Sequence, residues 1–411
     1  MDINKKRSFA ELIVRIGVNV REGQEVVINA ELDQPDFVEL VVEECYKAGA
    51  SDVRVEWSHQ PLQLLNVKYR TADGLGEVKD WERERLLYRA KTLPAMIYLE
   101  SSDPNGLDGM DQEKWGQAIQ KRWSVIKPIR DEMENKYQWC IAAVPGKKWA
   151  SKVFPELPVD EAVEKLWEAI LYTSRADGDG MSAWREHNAD LKRRCDYLNS
   201  LGLRRLKYRS SNGTDFSVGL IPEALFLAGA EDTLGSGITY NPNIPSEEVF
   251  TSPMRGDAEG IVYSTRPLSY RGVMIENFSI RFEGGKVVEV HAEKNEDALR
   301  TMIAMDEGAA MLGECALVPY DSPIRNSGIM FYNTLFDENA SCHIALGLGF
   351  PNVIKDYDKY TLDEIHDKGV NDSVIHVDFM VGDATMNIDG ITPDGEVIPV
   401  FRNGNWTEKF M

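Results

Sequence analysis

Cysteine is scarce and scattered. The 411-residue chain carries five, at Cys45, Cys140, Cys195, Cys315 and Cys342, and no two of them make a C-x-x-C pair. That argues against a disulfide framework and against a thiolate zinc site, and leaves small buried hydrophobes as their default role. Long apolar runs are missing as well. No stretch approaches the roughly 20 residues of a membrane span, and the opening MDINKKRSFAELIV meets Arg15 before a signal-peptide core has formed. The expectation is a cytoplasmic protein with no membrane partner. Positive charge is in short supply: 46 Lys and Arg against 67 Asp and Glu give a net charge of −21. Such a chain is repelled by nucleic acid and by anionic membranes, and suits a bound cation or an amine-bearing substrate. No G-x-G-x-x-G or P-loop is present, so a nucleotide site is not supported.

What the chain does contain is globular: 43% hydrophobic and 27% charged residues, over a length sufficient for two domains. In the first third, EVVIN (Glu25–Asn29), DVRVEW (Asp52–Trp57), the apolar run Ala95–Leu99 and WCIAAV (Trp139–Val144) read as strands. Between them Phe37, Val38, Val41, Val42 and Cys45 recur at helical spacing before Gly49, and helices are expected over Trp81–Arg89 and Gln112–Met133. Strands alternating with helices predict a parallel sheet covered by helices. Pro158–Leu203 reads as a mostly helical connector. Beyond Lys207 the texture is strand-rich, with turn signals at Asn212-Gly213, Gly284-Gly285, Asp389-Gly390 and Asp394-Gly395, and a hairpin about Gly284-Gly285. The expected fold is α/β: an N-terminal domain (1–195) with a parallel sheet and flanking helices, and a C-terminal α+β domain (196–411) that binds metal.

The chemistry-bearing residues lie in that second half. Two of the six histidines sit in acidic surroundings. In His376-Val377-Asp378, a strand over Val374–Met380 would put the imidazole and the carboxylate on one face, a pairing that suits zinc or cobalt. It would equally suit a self-satisfied His–Asp pair. In Asp337–His343, Ala340–Leu346 reads as the opening of a helix, Glu338 precedes it, and both side chains reach one point only across a tight turn. Taken by itself, Glu338 reads as a cap-region glutamate. Glu247-Glu248 precede an apolar segment, and Glu314 stands inside the apolar run LGECALVP, where a charge is costly unless paired or bound to metal. Glu248, Glu314, Glu338 and Asp378 together carry four negative charges, the complement of two divalent cations. Two such ions roughly 3.5–4 Å apart can share a water, lower its pKa and polarise a carbonyl. A thiol nucleophile at Cys342, beside His343, is disfavoured because adjacent side chains diverge.

At these residues the chain resembles the M29 metallo-aminopeptidases, the thermophilic AmpS/aminopeptidase T type. The likeness runs from IGVNVREGQEVVI and AGASDVRVEW to NPNIPSEEVFTSP, GAAMLGECALVP, FYNTLFDENASCHIALG and NDSVIHVDFMVG. It implies metal ligands at Glu248, Glu314, Glu338, His343, His376 and Asp378, with Glu314 bridging two divalent ions per subunit (zinc, cobalt, magnesium or manganese) and serving catalysis. It implies a homodimer of two-domain subunits, an active site opening into an enclosed cavity, and short peptides as substrates, losing their N-terminal residues to an activated water. Glu247 is the candidate for holding the substrate ammonium. One departure stands out: Phe350 occupies a position where the family usually has a tyrosine, so either another group, such as Tyr357 or Tyr360, supplies that role or the rate and substrate range differ. Arg325 also stands where a small polar residue is usual. The alternatives are a catalytically impaired peptide- or metal-binding homologue, and a hydrolase of non-peptide amides.

Overall fold

The four strand-like segments of the first third become parallel strands in the computed structural model, which describes residues 1–270 and 273–410. β1 (Glu25–Glu31), β2 (Asp52–Ser58), β3 (Ala95–Glu100) and β4 (Trp139–Ala143) lie in the order β2-β1-β3-β4, and the two-residue strand Asn243–Ile244 runs parallel beside β4. Val26, Val27 and Ile28 are consecutive and all buried. A strand covered on both faces needs apolar residues on both, so it shows a run rather than an alternation. The helix Pro35–Lys47 buries Phe37, Val38, Leu40, Val41 and Cys45, and it stops before Gly49, whose φ of +102° is open to glycine. Phe9, Phe37 and Trp167 pack their rings at 5.3–6.4 Å in one core cluster. The expected helices appear at Asp80–Thr92 and Gln112–Met133.

Two units emerge, one of Met1–Trp184 with Ala230–Pro245 and one of Arg185–Gly229 with Ser246–Met411. The expected connector is helical, as Val159–Thr173 and Gly180–Leu201. The division falls after Trp184, where the sequence reading placed it at 195/196. Residues 230–245 return to the first unit because Asn243–Ile244 completes its parallel sheet.

Among the described residues of the second unit, nine strands form a mainly antiparallel sheet, with Val273–Glu283 and Lys286–Lys294 as the hairpin about Gly284-Gly285. Asn212-Gly213 and Asp394-Gly395 also fall between paired strands. Asp389-Gly390 does not: it lies inside the strand Asn387–Ile391. The glycine there answers a packing need, since a Cβ at Gly390 would come within 2.6 Å of Leu203. Among the described residues no helix is long and apolar enough to cross a membrane.

Candidate metal centre

A smaller sheet in the second unit, separate from the nine strands, gathers the candidate ligands. Val249–Thr251, Leu312–Leu317, His343–Gly347 and His376–Met380 pair antiparallel in that order. The two middle strands are buried along their full length. This corrects the helix expected over Ala340–Leu346: a short 3₁₀ turn, Glu338–Ala340, is followed by the strand His343–Gly347. A short, fully buried apolar run carries no periodicity that separates strand from helix. The turn joins Glu338 to that strand, yet of the two only His343 enters a close group of liganding atoms.

Each strand delivers its side chain for a local reason. Glu248 immediately precedes the first strand. His376 and Asp378 are two apart on the last, hence on one face. Glu314 follows a register shift between Leu312 and Glu314, a bulge of the kind that re-aims a side chain at a site. The result is two groups of liganding atoms, Glu248–Glu314–His343 and Glu314–His376–Asp378, each with all its atoms within 4.8 Å of one another. Glu314 belongs to both. His343 Nε2 is 3.1 Å from Glu248 Oε2, and His376 Nε2 is 3.2 Å from Glu314 Oε2 and 3.3 Å from Asp378 Oδ1. Behind them, His376 Nδ1 lies 2.7 Å from the Leu348 carbonyl and His343 Nδ1 lies 3.3 Å from that of Ser341. A carbonyl can only accept, so each Nδ1 donates and each Nε2 is left as the ligand atom. Glu338 lines a cleft with Asp378.

The electrostatics describe a site built around positive charge. Burial, with the charges of Asp378 and Glu248, pushes Glu314 up to about 7 despite the His376 hydrogen bond. Burial and the neighbouring carboxylates Asp378, Glu248 and Glu314 hold Glu338 well above the usual range. Burial alone would lower His343, yet its hydrogen bond to Glu248 and the surrounding carboxylates carry it up to about 10. Burial opposes ionisation of Asp378 too, but His376 outweighs it and draws the carboxyl down to about 2. Protons thus neutralise the cluster where cations otherwise would. The donor set fits a divalent ion: four carboxylates and two imidazoles, all of a type that binds zinc, cobalt or manganese. Asp378 Oδ1 adds a buried oxygen that faces His376 Nε2 at 3.3 Å. No thiolate competes, because burial raises Cys315 and Cys342, the latter to about 12.

The remaining candidates stand around this cluster. The Glu247 N–H donates to Asn339 Oδ1 at 2.7 Å, and its carboxylate lies 4.0 Å from His187 Nε2. His187 is within 2.7 Å of the Ser246 carbonyl and so braces the approach to Glu248. Phe350 sits with its ring 4.9 Å from that of His376 and 5.3 Å from Phe250. Tyr360 is 38% exposed under the Lys368 ammonium, and Tyr357 packs against the cluster of Val353 and Ile354. Arg325 reaches the Tyr320 hydroxyl at 2.5 Å.

Two groups escaped the sequence reading. Buried Asp337 faces Arg266 at 3.3 Å and accepts from the N–H groups of Phe331 and Asn333 at 3.1 and 3.0 Å. That cap folds the chain about Tyr332, at φ 54°, and Tyr332 lines the same cleft as Glu338 and Asp378. The acidic pair Asp337-Glu338 was the available signal for the first. Nothing local announces the second, because a positive φ at tyrosine is set by tertiary contacts.

The profile of the thermophilic metalloproteases (M29) matches residues 3–406. The chain belongs to that family. It is 41% identical over 404 residues to aminopeptidase AmpS of Bacillus subtilis, covering 98% of each chain. It is 39% identical over 410 residues to aminopeptidase T of Thermus thermophilus, covering 99% of this chain and all of that one. The solved structure of wild-type AmpT from Thermus thermophilus superposes with a TM-score of 0.90 at 38% identity, over 98% of this chain and 99% of that chain. The α/β architecture read from the sequence is therefore the family's own.

Proposed function

We propose that this M29 metalloprotease is a metal-dependent aminopeptidase that removes N-terminal residues from short peptides with two divalent ions per subunit. The observation that carries the reading is the pair of triads sharing Glu314. Glu248, Glu314 and His343 would hold one ion and Glu314, His376 and Asp378 the other, with Glu338 completing the charge balance. When bound, such ions polarise the scissile carbonyl and bring the pKa of a water toward neutrality. The chain's own residues do the rest. The Leu348 and Ser341 carbonyls fix the two imidazoles, so that Nε2 of each is presented without rotation. Phe350 screens one face of His376 from water. Leu268, Met274, Met330 and Met380 line the cleft beside Glu338 and Asp378, an apolar and adaptable wall for the first side chain of the substrate. Glu247 is the carboxylate assigned to the substrate ammonium, and Glu247→Gln would then raise KM more than it lowers kcat. The same reading takes the enzyme to be a cytoplasmic homodimer, which sedimentation and fractionation test directly.

The test is an anilide assay. L-leucine p-nitroanilide is expected to be cleaved and its N-acetyl derivative to be left intact. Chelation should abolish turnover, and added zinc, cobalt or manganese should restore it at two ions per subunit. Glu314→Gln removes a ligand from both triads and should cost about 10³-fold in kcat/KM, since the ions supply several kcal/mol. Turnover that survives complete metal removal would end the reading. One observation favours a second reading, a peptide-binding homologue without catalysis: a phenylalanine, with no hydroxyl, packs its ring 4.9 Å from that of His376. An inert, metal-loaded wild type that still binds peptide would decide for it.

A further inference from the structure

The parallel sheet of the first unit reverses its winding at β1. The chain leaves β1 for β2 on one side, and from β2 it returns past β1 to β3 on the other. At such a switch point the loops leaving the carboxyl ends of the two strands part in opposite directions and leave a crevice, the usual ligand position in open α/β sheets. Here that crevice is a cleft of about 360 Å³. It falls within the roughly 300–1,000 Å³ of small-molecule sites, at the lower end.

The cleft has two chemically different ends. Beyond β1 stand Glu31 and Asp33. Each has one carboxylate oxygen fixed by a hydroxyl from the loop after β3: Ser102 Oγ donates to Glu31 Oε1 at 2.7 Å, and Ser101 Oγ to Asp33 Oδ1 at 2.9 Å. Ser101 is only 3% exposed, so this support is part of the interior. Gly146, after β4, has no side chain to obstruct it: a Cβ there would lie 2.9 Å from Asp33 Oδ2 and 2.4 Å from the Ser101 carbonyl. Across the cleft, Lys147 and Lys148 follow β4. Lys148 Nζ rests 3.6 Å from Asp103 Oδ2, and Lys147 has no ion-pair partner among the described residues. Leu32 and Pro61 give the lining an apolar component. The loops after β1 and β4 meet at Gly146, so one cleft presents carboxylates from the first and ammonium groups from the second, with Asp103 beside Lys148, to a ligand that carries both charges and an apolar body.

We infer that this cleft binds a small zwitterion, a free amino acid or dipeptide with an apolar side chain, its ammonium against Glu31 and Asp33 and its carboxylate against Lys147 and Lys148. The site is composed wholly of first-unit residues and shares none with the metal ligands. It is therefore additional to the proposed catalytic reading and does not depend on it.

The test titrates the full-length, metal-loaded protein with L-leucine by calorimetry, beside N-acetyl-L-leucine, isoamylamine, inorganic phosphate and manganese. L-leucine is expected to bind, and Asp33→Asn and the double variant Lys147→Ala/Lys148→Ala each to weaken it about tenfold or more, through loss of charge-assisted hydrogen bonds. Both sets of substitutions replace exposed side chains, and circular dichroism checks that the variants are folded. Analogues lacking either charge should bind at least tenfold more weakly than L-leucine. The inference is overturned if L-leucine does not bind, if both variants bind it as wild type does, or if a blocked analogue, phosphate or manganese takes the cleft equally well. An anilide assay on the same preparation reports on the catalytic reading separately.

Discussion

Replacing Gly313 by alanine tests how the fold positions the site, without touching a ligand. Gly313 is the second residue of Leu312–Leu317, within the register shift that precedes Glu314. An added Cβ would lie 2.2 Å from the Leu348 carbonyl oxygen and 2.5 Å from that of Gly347. Both are backbone atoms and cannot rotate away. Cβ atoms essentially never sit closer than 3.0 Å to such a neighbour, so the strands must part by about 0.8 Å or more. The displaced Leu348 carbonyl is also the acceptor that fixes His376 Nδ1 at 2.7 Å. One methyl group therefore moves Glu314 from its own strand and releases His376 through its partner. Overpacking of this kind costs about 1–3 kcal/mol, a fall in Tm of roughly 2–12 °C for a unit of this size. A displacement near 1 Å at a reacting centre costs about 10²-fold in rate. The assay is kcat/KM on L-leucine p-nitroanilide at saturating metal, well below the transition, with metal content and Tm measured on the same sample. Leu166→Ala, at a fully buried position of the first unit, is the control, losing about 2–5 kcal/mol by cavity formation while keeping its kcat/KM. A folded, fully metallated Gly313→Ala protein with kcat/KM within threefold of wild type would refute the reasoning.

Metal removal should make stability depend on pH with a definite sign. Glu314 rises from 4.5 to about 7 and His343 from 6.5 to about 10 on folding, so the stripped native state holds protons that the unfolded chain has released. The stability that these two groups contribute is fully present below about pH 4.5 and is lost as pH rises through about 10, and the gap in Tm between loaded and stripped protein should widen over that span. A constant gap would contradict the buried-cluster account. Asp378, drawn down to about 2, acts in the opposite sense only in acid. We propose Tyr332, which lines the cleft beside Glu338 and Asp378, as an oxyanion donor: Tyr332→Phe should then lower kcat about 10²-fold, and adding Phe350→Tyr should recover part of it. Full activity in Tyr332→Phe would remove that residue from the chemistry. Asp378→Asn, which touches one triad only, should weaken binding of one ion and spare the other in a metal titration. Simultaneous loss of both would show that the triads do not load independently.

Much of this was legible in the sequence wherever a local pattern carried the physics. The parallel sheet followed from strands that alternate with helices. His376 and Asp378 followed from strand alternation. The failures have equally specific causes. Ala340–Leu346 looked helical because a short buried run has no diagnostic period, and the distinction lay in pairing on both edges of His343–Gly347. Asp389-Gly390 looked like a turn because glycine signals both turns and close packing, and only the position of Leu203 tells them apart. The return of residues 230–245 to the first unit rests on a two-residue strand, too short to show any pattern. Tyr332 was invisible because its place depends on Asp337 capping the turn around it.

The residues that bind and those that hold the binders come from different kinds of signal. Six acidic and imidazole side chains next to a hydrophobic core are costly as ions and inert as neutral groups. On the proposed metal reading the fold tolerates them by letting the cluster trade protons for cations, which would link metal loading to the stability of the second unit. Such a trade works only if the ligands are held still while unoccupied. The carbonyls of Leu348 and Ser341, the cap at Asp337 and the bulge at Gly313 meet that requirement, and all but Asp337, which caps with its carboxylate, act through backbone atoms. Ligand residue types can be read from a string of letters, whereas a backbone carbonyl carries no letter. That is why the ligand candidates could be picked out in the sequence, Glu338 only through the family resemblance, while the glycine that lets Glu314 and His376 converge had to be found in the strands.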